Sequence, residues 1–118
     1  MKQFDPTQLS FFTGTTAYHR LAPHVVLTDG AKYLAENARA FWLMDAIASY
    51  LPALTNREHF VAASLAVKNQ SGSLWLADGN EKDLAFQHFA YTDFPIQDIT
   101  LFACWSGDHW VLMLPSEY

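Results

Sequence analysis

Asp45 is the residue whose position most invites a chemical reading. It lies within Phe41-Trp42-Leu43-Met44-Asp45-Ala46-Ile47-Ala48, where nearly every neighbour is apolar. Helical spacing places it on one face with Ala38, Trp42 and Ser49. A carboxylate there must collect hydrogen-bond donors, take up a proton, or reach water through a cleft. The bland reading is a structural carboxylate that accepts hydrogen bonds from a loop or a helix end. The sharper reading is a small-ligand or hydrolytic pocket around Asp45, with Tyr50, His88 or His109 assisting.

The other reactive side chains offer less. The histidines are His19, His24, His59, His88 and His109, and no two have the i, i+4 spacing of a zinc-binding helix. No metal and no cofactor are expected. Cys104 is the single cysteine, so an internal disulfide is excluded. Between Ala103 and Trp105 it reads as a small apolar strand residue, inert as a nucleophile. No Gly-x-Ser-x-Gly elbow or phosphate-cradling glycine loop is present. Asp78-Gly79-Asn80 is short of the ligands a calcium loop needs and reads as a turn. Asp93, Asp98 and Glu117 form an acidic set, either solvated surface or a patch for a basic protein. Trp105, Trp110 and Tyr118 are either core or interface residues.

These side chains must be positioned by elements that the hydrophobic pattern outlines. The stretch from Thr28 to Pro52 reads as one long helix, capped by Asp29 and stopped by Pro52. Its first half is amphipathic, and its second half is apolar all round and therefore buried. Asp5-Pro6 opens a short N-terminal helix that ends near Gly14. Thr15–Leu21 is a short extended piece, and Val25–Leu27 an apolar run leading into the long helix. Residues Phe60–Lys68 admit either helix or strand; alternation of Val61, Leu65 and Val67 with small residues favours the strand. Further strands are expected over Ser73–Ala77, Leu84–Tyr91, Ile99–Trp105 and His109–Leu114. Asn69–Gly72, Asp78–Asn80 and Ser106–Asp108 provide the turns. The expected fold is α+β in a single domain, residues 1–118: a five-stranded antiparallel meander packed on one long buried helix.

Composition narrows the classes of function. The chain has 118 residues, 51% of them hydrophobic and 15% aromatic, enough for a core without disulfides or metal. Seven basic against twelve acidic side chains give a net charge of −5. With no Lys/Arg cluster, direct nucleic-acid binding is disfavoured. The central apolar stretch is too short and too flanked by polar residues to span a membrane. The N-terminal MKQFDPTQ lacks an apolar signal core, which points to the cytoplasm.

Five segments carry a family resemblance: FTGT at Phe12–Thr15, TDGAKYLAE at Thr28–Glu36, WLMDAIASY at Trp42–Tyr50, YTDFP at Tyr91–Pro95 and LPSEY at Leu114–Tyr118. Together they resemble an uncharacterised bacterial domain family also met in plasmid and phage genomes. The resemblance covers nearly the whole chain. It implies a prokaryotic or mobile-element protein and places LPSEY inside the folded domain. It brings no activity, cofactor or catalytic residue. Missing catalytic motifs, acidic balance and abundant large rings favour a non-enzymatic protein-interaction module. A homo-oligomer formed through a sheet face or strand edge is its simplest form, and countering a host defence complex its sharpest. The alternative is the ligand-binding or hydrolytic pocket at Asp45.

Overall fold

A computed structural model describes residues 4–80 and 82–118. Met1–Gln3, part of the segment read for a signal core, and Glu81 lie outside the described residues. Among the described residues, seven strands form one mixed sheet: β1 (His19–Ala22), β2 (Val25–Leu27), β3 (Phe60–Lys68), β4 (Ser71–Ala77), β5 (Asp83–Phe89), β6 (Asp98–Trp105) and β7 (Trp110–Met113). The strand order is β1-β2-β7-β6-β3-β4-β5, antiparallel except between β2 and β7. The α+β class and all five expected strands are present. Two further strands and the order depart from a meander, because β6 pairs with β3 instead of β5.

The segment Tyr91–Pro95 explains that crossing. Thr92 is buried, donates its N–H to the Gln70 carbonyl at 2.7 Å, and accepts from Phe94 N–H through Oγ1 at 3.1 Å. Phe94 is buried edge-on against Trp42, with ring centroids 6.2 Å apart. The chain leaving β5 is thereby pinned beneath the β3–β4 turn and delivered to the far side of β3. Two-residue spacing and turn chemistry are local signals. This pairing is set by a buried ring and one buried threonine, so it was invisible to them.

The expected single helix is two: α1 (Asp29–Asn37) and α2 (Phe41–Tyr50). The break has a defined form. Ala38 N–H still reaches Leu34 O, Arg39 takes a left-handed φ of 52°, and Ala40 N–H returns to Ala35 O at 2.8 Å. That is the 6→1 bond of a Schellman cap, with Arg39 where glycine usually stands. Ala35 and Ala40, the pair that flanks it, are both fully buried. The N-cap also differs from expectation. Thr28, not Asp29, caps α1, accepting from Ala31 N–H.

Both helices cover the same face of the sheet. Val25, Leu27, Val61, Ala63, Leu65, Leu74, Leu76, Leu101, Ala103, Trp110 and Leu112 point toward them and are buried. No residue on the opposite face of the strands is buried, among the described residues. The alternation along β3 and β4 is the period-two signature of a sheet packed on one side.

Three of the five sequence landmarks meet at the start of α1. Glu117, in a 3-10 turn over Pro115–Glu117, accepts through Oε1 from Thr28 Oγ1 at 2.6 Å and from Leu114 N–H at 3.0 Å. Its Oε2 accepts from Gly30 N–H at 3.0 Å. Asp29 turns the other way. Its carboxylate accepts from Thr16 N–H and Oγ1, both at 2.9 Å, and pairs with His19 Nε2 at 2.8 Å. Thr15 Oγ1 accepts from Asp29 N–H. LPSEY is thus inside the fold, and Glu117 is a structural carboxylate.

Three predictions follow from this architecture. A methyl at Gly30 would meet the Glu117 carboxyl carbon and Leu114 Cδ1, both at 2.7 Å. Overpacking of this kind costs about 1–3 kcal/mol, against at most about 1 kcal/mol of helix propensity gained. Gly30→Ala therefore lowers stability, read as a reduced urea midpoint with unchanged slope. Arg39→Gly does the opposite. It relieves a left-handed conformation worth about 1–2 kcal/mol at an entropic cost of about 0.5–1 kcal/mol, and raises the same midpoint.

The third concerns pH. The His19 hydrogen bond, helped by the Thr16 donors, holds the Asp29 carboxyl well below its ordinary range. A carboxylate with a depressed folded pKa stabilises the fold above its unfolded value, about 3.9, and loses that contribution as pH falls. Asp29→Asn should lower Tm at neutral pH, and the gap to the natural chain should close below about pH 4. Parallel Tm curves from pH 2 to 7 would overturn this role for Asp29.

Candidate functional site

Asp45 lines none of the clefts described among residues 4–80 and 82–118. Asp45 is exposed, on a stripe with Phe41 and Ser49 that runs along the solvent side of α2. The helix is not apolar all round in its surroundings. Leu43, Met44, Ile47 and Ala48 are buried, and every fourth residue from Phe41 faces out. Composition suggested burial because the outward stripe begins with a phenylalanine, 43% exposed.

The proposed helpers of Asp45 also separate. Tyr50 donates its hydroxyl to Gln87 Oε1 at 2.9 Å, tying α2 to β5. His88 lies on the uncovered sheet face, with Nδ1 3.4 Å from Ser73 Oγ. His109 belongs to the β6–β7 turn. Asp93 and Asp98 are exposed, while Glu117 is committed to α1. The acidic set is therefore not one patch. Among the described residues, no three His, Cys, Asp or Glu side chains are placed to hold a metal ion. No described helix is long and apolar enough to cross a membrane. Cys104 is half-buried on the uncovered face, and burial pushes its thiol upward, away from the reactive thiolate.

Two regions among the described residues offer surfaces suited to binding. The first is the uncovered face of the sheet. Trp75 and Phe86 pair across β4 and β5 with ring centroids 5.3 Å apart, and are 39% and 55% exposed. Phe60 and Phe102 pair across β3 and β6 at 5.0 Å. Tyr118, 75% exposed, lies edge-on to both at 5.5 and 5.4 Å. Between these rings the face carries Ala62, Ser64, Ser73 and Thr100, with Ser64 and Thr100 hydroxyls 3.2 Å apart. The register puts Arg20, Lys68 and Asp98 toward its margins.

The second region is the end of the sheet where the β1–β2 and β6–β7 turns meet. A cleft of about 480 Å³ opens there on the helix side, lined by Trp105, Trp110, Pro23, Pro52, His24 and Asp108, among others. The two indoles pack 5.6 Å apart. Trp110 is buried and donates Nε1–H to Thr55 Oγ1 at 3.0 Å, which fixes its ring. The rim is held by His24, whose Nδ1 lies 3.3 Å from the Asp108 carbonyl. Asp108 Oδ1 meets His109 Nδ1 at 2.9 Å and Ser106 Oγ at 3.1 Å. These contacts, His109 foremost, hold the Asp108 carboxyl below its ordinary range. Ser106 Oγ points to Asp108 and the His109 carbonyl, not to an imidazole nitrogen, so no nucleophilic triad is assembled.

Of the expected interaction residues, Trp105 and Trp110 come together, and Tyr118 sits on the uncovered face. Sequence reasoning missed His24, Pro23, Pro52 and Asp108 at the cleft, and Trp75 and Phe86 on the face. A signal for the latter existed: Trp75 falls between Leu74 and Leu76 in a strand, and so must point away from them.

No curated protein and no solved structure matches the chain. The sequence from residue 4 to residue 118, nearly its full length, matches a family of unknown function, DUF6876. A match over nearly the whole chain shows that the chain belongs to that family.

Proposed function

We propose that this protein is a non-enzymatic interaction module that associates with a second copy of itself through the uncovered face of the sheet. One observation carries the reading: the rings of Trp75, Phe86 and Tyr118 stand exposed on the sheet face opposite the two helices, where no strand residue is buried among the described residues. Contiguous exposed aromatic surface is the usual mark of an interface. Seven strands at about 4.8 Å spacing give a face about 30 Å wide, wide enough for the roughly 800 Å² per partner of a standard interface. Charge favours self-association here over other surfaces. A chain with a net charge of −5 repels its copies, and this face holds its charges at the margins. Two sheets would then pack about 10 Å apart with interleaved rings. The setting we propose is a prokaryotic cytoplasm, with carriage on a mobile element, as the sequence resemblance implies. No observation favours the alternative of a hydrolytic site at Asp45.

Sedimentation equilibrium tests the proposal. The natural chain should dimerise with a dissociation constant of about micromolar order. Trp75→Ser with Phe86→Ser should be monomeric, with a cooperative unfolding transition that shows the fold intact. A natural chain that stays monomeric up to roughly millimolar concentration, or a doubly substituted chain that still dimerises, overturns it.

A further inference from the structure

From the cleft between the two turns we infer a second binding site, one that receives an organic cation such as a guanidinium or alkylammonium head. It lies on the helix side of the sheet, apart from the proposed dimer face, and does not depend on that dimer.

Four features set the class of ligand. The cleft volume, about 480 Å³, lies within the range that holds small ligands or a single long side chain. Its lining includes two indoles, and indole is the best aromatic partner for a cation. No lysine or arginine is among its described lining residues; the groups there that can carry positive charge are His24 and, at the rim on Asp108, His109. Asp108 supplies a carboxylate at the rim. The hydrogen bonds to that carboxylate go to Oδ1, and Oδ2 has no partner among the described residues. An anion would meet a carboxylate and the negative faces of indole rings. A neutral apolar ligand would leave Asp108 without use.

The cleft is also built to keep its shape. Trp110 cannot rotate without losing Thr55, and Thr55 Oγ1 in turn donates to Leu51 O at 3.2 Å. Pro23 and Pro52 fix the backbone on two sides. His24 holds a left-handed φ of 64°, and its ring lies 6.3 Å from that of His109. A rigid aromatic wall beside one carboxylate loses little entropy when a planar or tetrahedral cation arrives.

Titration of the full chain, followed by NMR on the Trp105 and Trp110 indole N–H signals, tests the inference. The probes are acetyl-arginine amide, tetramethylammonium, an arginine-containing pentapeptide of otherwise neutral residues, and acetyl-citrulline amide as the uncharged match to arginine. Saturable shifts at both indoles with the cations, and none with citrulline at equal concentration, are expected. Asp108→Asn, at an exposed turn and with the turn's fold checked by unchanged indole and His24 signals in the free chain, should weaken cation binding about two- to fivefold, the worth of one exposed ion pair. Trp105→Leu, followed on Trp110 and His24, should weaken it further. Tighter binding of the pentapeptide than of the free amide identifies a partner's side chain as the natural occupant; equal binding identifies a free small cation. Equal shifts with citrulline, no saturable shift with any cation, or unaltered binding by Asp108→Asn would each overturn the site.

Discussion

The fold hangs on one carboxylate at the beginning of one helix. Glu117 reaches back across 87 residues to the Gly30 amide and the Thr28 hydroxyl, and also accepts from Leu114 just before it. Two amides are satisfied at once, Gly30 at the start of α1 and Leu114 at the C-terminal turn. The negative charge sits at the positive end of the helix, where it is favoured. Because β7 runs directly into this turn, and β2 runs directly into α1, the tie clamps the two strands that pair in parallel. Parallel neighbours cannot be joined by a hairpin. Here they are closed from outside, by side chains at their C-terminal ends.

This arrangement explains which parts of the chain could be read from sequence. The strands β3, β4, β6 and β7 announce themselves by alternation, and the hairpin turn carries Asn69 and Gln70 at φ values of 52° and 63°. Those are local properties, and local patterns report them. The helix break at Arg39 is equally local but lacks its usual glycine, so the conformation has no residue-type marker. The strand order is not local at all. It depends on Phe94 finding Trp42 and on Thr92 fitting beside Gly72, where a Cβ would stand 3.3 Å from the Thr92 methyl. The segments FTGT, TDG and SEY, and separately WLMD and YTDFP, were visible as landmarks of the sequence. Their partnership in two ties became visible only in three dimensions.

Asp45 shows the opposite failure. Its neighbours in sequence are apolar, but helical spacing distributes them around a cylinder that is only partly covered. The sheet and the crossing segment bury Leu43, Met44, Ile47 and Ala48, and Trp42 leans on Phe89 at 5.0 Å. The narrow remaining stripe holds Phe41, Asp45 and Ser49. An apolar residue on that stripe conceals the helix's polar side from composition, and a carboxylate in water then passes for a buried one. Exposed aromatic residues at Trp75 and Phe86 were hidden for a related reason: large rings count as core until their phase along the strand is compared with that of their neighbours.

The uncovered face and the cleft meet at the β6–β7 turn. On the face side, Tyr18, Val26, Ser106, His109 and Val111 line a hollow of about 400 Å³. On the helix side, Gly107 and Asp108 wall the cleft. Residues Ser106–His109 therefore separate the two, and they are held together by their own hydrogen bonds, Ser106 to Asp108 and to the His109 backbone. Gly107, at φ 107°, permits the reversal. A group seated against Asp108 would meet Gly107 and Asp108, in the same short turn whose Ser106 and His109 line the hollow on the sheet side. Coupling between two sites needs an element that both contact; were both proposed sites occupied, this turn is the element they would share.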